Sequence, residues 1–188
     1  MTTPGKWRAV LVCAIFTLCA TAAFAQPFAE QTFELNGQVL RYSIRAFGPG
    51  ANLVEPAAAL EPVSALDTAK LLNRFLVAGN IEEAALLSNA PRRRFEVLRD
   101  YRASIGEDGF RQVYAEYFLP ENRVVAEVSM GNHSLLVWHL RANNRYAGQF
   151  YIQIDGKFYV DDRPGATRTA LRRLLDAIRE GRLPLPIP

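Results

Sequence analysis

The stretch VVAEVSMGNHSLLVWHLRANNRYAGQFYIQIDGKFYVD, residues 124–161, decides the fold. Up to Pro120 apolar residues recur at helical spacing. From Val124 the period drops to two, with Val124, Ala126, Val128 and Met130 separated by Val125, Glu127 and Ser129. Gly131-Asn132, Ala142-Asn143-Asn144 and Asp155-Gly156 cut the stretch into four short strands, because Gly, Asn and Asp accept the backbone angles of tight reversals. Four strands joined this way make an antiparallel meander. Its second strand, residues 133–141, is apolar on both sides, Leu135 and Val137 against Leu136, Trp138 and Leu140, which predicts cover on both faces there.

Upstream, residues 64–78 read as a helix, with Ser64 and Asp67 at capping-box spacing and Leu72, Phe75 and Leu76 on one stripe up to Gly79. Asn80 is placed to cap a shorter helix through Leu87. Pro91 suits a first helical turn, followed by Phe95, Leu98, Arg102 and Ile105, and Phe110, Val113, Tyr114, Tyr117 and Phe118 mark one more helix. Downstream, residues 167–180 carry Leu171, Leu174, Leu175 and Ile178 on one face with Gly181 past the end. Near the N-terminus, residues 31–46 read as a hairpin about Asn36-Gly37. Helices gathered before an antiparallel sheet define an α+β fold. Four segments follow: residues 1–25; a hairpin and Pro/Ala-rich linker over 26–63; an α+β domain over 64–181; and a Pro-rich extended tail over 182–188.

The run Arg74-Phe75-Leu76-Val77-Ala78-Gly79-Asn80-Ile81-Glu82-Glu83-Ala84-Ala85-Leu86-Leu87-Ser88 resembles the first two helices of the NTF2-like, cystatin-related superfamily, and the meander resembles its curved sheet. The resemblance covers about residues 64–162, with helix-like residues 91–105 where many members have a strand. It implies helices packed on a curved antiparallel sheet of four or more strands. It also implies a cone-shaped pocket that binds ligands, holds a catalytic acid–base pair, or is filled by side chains.

Residues 1–25 combine Lys6 and Arg8, an apolar run over 9–23 and the small-x-small end Ala23-Phe24-Ala25. That is the pattern of a cleaved export signal, with Gln26 as the mature N-terminus. The run of about 15 residues is short of the roughly 20 that span a bilayer, and Leu18 before Cys19 is too bulky for a lipid-modification site. A periplasmic or secreted protein with no stable membrane anchor is expected. Both cysteines, Cys13 and Cys19, would leave with the signal, so disulfides and thiolate chemistry are not expected in the mature chain. Two of the 22 basic residues would leave too and none of the 19 acidic ones, so the net charge falls to +1 and nothing favours nucleic acid.

Candidate chemistry is sparse. His133 and His139 lie on one strand, roughly 20 Å apart at about 3.3 Å per residue, too far to share a metal. His139 and Asp161 are the weak catalytic candidates, as proton carrier and acid–base carboxylate; Asp155 belongs to a turn and Asp162 to a strand end. Arg92-Arg93-Arg94 fan around a helix start and read as solvated. No cofactor motif is present. The expected working surface is a face carrying Tyr151, Gln153, Tyr159 and Asp161, a mixture of aromatic area and polar groups that suits recognition. The same face could be closed by the hairpin or by a second subunit in a homodimer. The leading expectation is therefore a non-catalytic domain binding a small apolar ligand or an envelope protein. An isomerase- or cyclase-type enzyme and an envelope accessory or inhibitor-like protein are the alternatives.

Overall fold

The computed structural model describes residues 26–35, 37–49 and 61–186. The expected export signal, Asn36 of the hairpin turn, residues 50–60 of the linker and the last two residues of the tail lie outside them. The fold is α+β. Strands β1 (Ala29–Leu35), β2 (Gln38–Ala46), β3 (Arg123–Met130), β4 (His133–Leu140), β5 (Arg145–Ile154) and β6 (Lys157–Val160) form one antiparallel sheet in chain order. Helices α1 (Ala65–Val77), α2 (Ile81–Leu86), α3 (Pro91–Ile105) and α4 (Glu107–Ala115) intervene between β2 and β3, and α5 (Ala166–Arg179) closes the chain. The hairpin β1–β2 is continuous with the meander, because residues 43–46 of β2 pair with residues 126–129 of β3.

Helix ends follow local chemistry. Ser64 caps α1, its Oγ accepting the Asp67 N–H at 3.1 Å. At the other end Gly79, at φ 81°, turns the chain left-handed; Gly79 N–H donates to Leu76 O and Asn80 N–H to Phe75 O. Asn80 thus closes α1 through its backbone, and its side chain makes no capping bond to α2, contrary to the expectation. The same closure ends α5, with Gly181 N–H on Ile178 O and Arg182 N–H on Ala177 O.

The sheet has a helical layer on each face. Leu72, Leu76, Ile81, Leu98 and Phe110 pack with Leu136, Trp138, Tyr151 and Val160 in a first core. On the opposite face Leu171, Leu174, Leu175 and Ile178 of α5 pack with Leu135, Val137 and Phe150, and with Leu40, Tyr42 and Ile44 of β2. The double-sided strand β4 thus has the two covers that its composition requires. A bulge at Val125 breaks the simple alternation of β3. Val124 pairs with Trp138 and belongs to the first core, whereas Ala126 and Val128 belong to the second. Leu183 is buried and Leu185 packs against the second core, so the Pro-rich tail docks along its first residues.

Candidate functional site

Strand β6 is too short to cover β5. Its residues 157–160 pair with residues 151–154, and β5 runs six residues further back, to Arg145. The outer edge of β6 is protected: Phe158 N–H donates to Pro62 O, Val160 N–H to Leu87 O, and Asn89 N–H to Val160 O. Along β5, Gln153 N–H donates to Asn132 O beside β4, so by the antiparallel alternation Tyr146, Gly148 and Phe150 turn their backbone groups to the uncovered side. Asp161 N–H takes Phe150 O at 2.8 Å and Arg179 Nε takes Tyr146 O at 3.0 Å. Gly148 lies between them, partly exposed, with no partner for its N–H or C=O among the described residues.

A cleft of about 290 Å³ opens on this edge. Leu72 and Leu76 of α1, Tyr114 of α4 and Val160 give it an apolar floor; Gly148 to Tyr151 form its strand wall; Arg94, Arg168 and Arg172 stand at its rim. Arg168 and Arg172, one turn apart on α5, both lie over the Phe150 ring, at 5.2 and 5.4 Å from its centroid. Arg168 Nε donates to Asp161 O at 2.6 Å, and neither arginine has a carboxylate partner among the described residues. Arg94 is different: it grips Asp162 bidentately at 2.7 and 2.9 Å, while Ser88 Oγ donates to the same carboxylate and Asn89 Oδ1 accepts the Asp162 N–H. The Arg92–Arg94 run is therefore not a uniformly solvated helix start. Burial pushes the Tyr114 hydroxyl up to about 12, with Arg94 opposing, and raises Tyr151 as well. Both hydroxyls stay protonated at neutral pH, and Tyr151 donates to Gln149 Oε1 at 2.7 Å.

Asp161 is buried behind the rim. Its Oδ1 accepts Asn89 Nδ2 at 2.8 Å and its Oδ2 lies 3.0 Å from His133 Nδ1. A buried carboxylate on Nδ1 fixes the imidazole's orientation and leaves Nε2 as its free nitrogen. The histidine that meets the acid is thus His133, whereas His139, near the end of β4, has Nε2 on Asn144 Oδ1 and its ring against Tyr146.

The expected surface of Tyr151, Gln153, Tyr159 and Asp161 does not exist as one face. Tyr151 pairs with Val160 and is fully buried in the first core, while Tyr159 pairs with Ile152 and so faces the opposite side. Gln153 shares the Tyr151 side beyond the helices, where it lines a second cleft of about 310 Å³ beside the buried Glu127, held by Arg45. A larger concavity, about 690 Å³ beside the β1–β2 hairpin, is lined by the exposed Glu30, Thr32 and Arg41 and by the buried Tyr42, and no buried carboxylate or histidine opens into it.

Among the described residues no cluster of three or more His, Cys, Asp or Glu is placed to hold a metal ion, and no helix is long and apolar enough to cross a membrane. Comparison with family models, curated proteins and solved structures finds no match to this chain. Gly148, Arg94, Arg168 and Arg172 are absent from the sequence-derived site. Only the i, i+4 spacing of Arg168 and Arg172 on the polar side of a strongly amphipathic helix signals a pair.

Proposed function

We propose that this chain is a non-catalytic binding domain for a small ligand with an apolar body and an anionic head, working in the periplasm or outside the cell. One observation carries the reading: Arg168 and Arg172 are held over Phe150 without carboxylate partners among the described residues, at the mouth of a cleft floored by Leu72, Leu76 and Val160. Guanidinium groups pre-placed over an aromatic ring lose little freedom on gripping an anion. The apolar floor supplies affinity by burial, and the tyrosine hydroxyls and the strand edge supply orientation. The NTF2-like resemblance implies a pocket that can bind ligands, which suits this reading, and the export pattern of residues 1–25 supports the compartment.

Dodecanoate and anilinonaphthalene sulfonate are suitable probes. The Arg168→Ala, Arg172→Ala double variant should keep its circular dichroism and lose about tenfold or more in affinity, since each charge-assisted hydrogen bond contributes about 1.5–3 kcal/mol. Equal affinity of the folded double variant and the wild type would remove the site.

The His133–Asp161 contact favours a second reading, an acid–base enzyme with His133 Nε2 as the working nitrogen and Asp161 as its orienting partner. Turnover of ester or enolisable ketone substrates that disappears in His133→Gln would support it. Equal background rates in the two proteins would sink it.

A further inference from the structure

We propose that the anionic ligand is the C-terminal end of an extended peptide, its carboxylate at Arg168 and Arg172 and its main chain paired with Gly148. This rests on the binding reading above and narrows its ligand class.

Three observations meet at this edge. First, Gly148 presents an N–H and a C=O in the plane of the sheet, partly exposed and without a partner among the described residues, while the carbonyls of its neighbours on that side, Phe150 and Tyr146, are taken by Asp161 N–H and Arg179. An aliphatic or aryl anion leaves both groups unsatisfied, whereas a peptide laid parallel to β5 satisfies both, one residue's C=O accepting the Gly148 N–H and the N–H two residues further on donating to the Gly148 C=O. Second, the open edge is short. From Tyr146 to Phe150 it spans about 13 Å at 3.3 Å per residue, room for a chain end rather than a passing strand. Third, the charge lies at one end of it: Arg168 and Arg172 stack on Phe150, where β6 stops, so a peptide lying in the line of β6 but running parallel to β5, from Tyr146 towards Phe150, brings its C-terminus to the guanidinium pair. Asp162 does not oppose this, because Arg94 neutralises it, and Asp161 is turned to His133 and Asn89.

The absence of a side chain at Gly148 explains how α5 comes so near. A Cβ there would collide with Leu175 and lie 2.8 Å from Leu135 Cδ1, so glycine lets the helix settle on the strand and carries Arg172, three residues before Leu175, to the edge. Alternation then sets specificity. A peptide residue opposite Gly148 faces α5, and its neighbour opposite Gln149 turns its side chain to the other face, towards Leu72 and Leu76. An apolar side chain is expected there.

The test uses the mature chain with fluorescein-labelled Ala-Ala-Val-Leu as free acid, the same peptide as C-terminal amide, and dodecanoate. The free acid should bind about tenfold or more tighter than the amide, Arg172→Ala should erase that difference, and the Gly148 amide should become protected from hydrogen exchange on peptide addition. Free acid and amide binding alike, or an unprotected Gly148 amide in the saturated complex, overturns the proposal. Binding of dodecanoate but not peptide overturns it and leaves the broader reading standing. Binding of neither overturns both.

Discussion

Replacing Leu174 by Asp should abolish the cooperative thermal transition. Leu174 is fully buried in the second core, between the sheet and α5. Truncating such a leucine costs about 2–5 kcal/mol through lost burial and the cavity left behind. A carboxylate placed there must also be ionised without a partner or carry its proton into an apolar site, either of which adds to that cost. The sum is comparable with the whole stability of an ordinary domain, about 5–15 kcal/mol. Leu174→Met keeps volume and apolarity and should cost less than about 1.5 kcal/mol. Urea titrations of the two variants separate the contributions. A folded Leu174→Asp protein with a midpoint near that of Leu174→Met would mean that α5 does not close this face.

The meander, the helices and the glycine-terminated ends of α1 and α5 were legible because each has a local cause: a period, a turn residue or a cap. Face assignments failed where one residue changes the count. Val125 is such a residue. Period-two reading puts Val124 and Ala126 together, but the bulge sends them to opposite cores. The misplaced recognition face has a different origin. The two-residue turn Asp155-Gly156 pairs Ile154 with Lys157, so every cross-strand pair joins an even to an odd position and Tyr151 faces with Val160, not with Tyr159. Turn length was in the sequence, and that arithmetic would have separated the two tyrosines. The cleft is another matter. Its rim joins α3, the strand end after β6 and α5, and the meeting of Arg94 with Asp162, or of His133 with Asp161, is set by packing that no local pattern records.

A second large effect is expected on the opposite side of the molecule. Arg45 donates from Nε and Nη2 to Glu127 Oε2, at 3.0 and 2.6 Å, and Glu127 is 3% exposed. Arg45→Met keeps an unbranched apolar stem against Phe28 and Phe47, over which the guanidinium now lies, but leaves the carboxylate with neither donor. Breaking a buried pair from one side costs about 3–5 kcal/mol; the partial exposure of Arg45 and the solvent that reaches the cleft reduce this to about 2–4 kcal/mol. In a chain of this size each 1 kcal/mol shifts the midpoint by about 2–4 °C, so a fall of several degrees in Tm is expected. Removing both charges, as Arg45→Met with Glu127→Leu, should restore stability to within about 1 kcal/mol of the wild type, because an apolar pair of similar volume needs no desolvation. The double-mutant cycle then gives a coupling that the single variants cannot. If Arg45→Met alone costs under about 0.5 kcal/mol, Glu127 is solvated through the cleft and the pair is a surface contact. If the double variant is as unstable as Arg45→Met, the loss comes from the packing of residue 45 and not from an orphaned carboxylate.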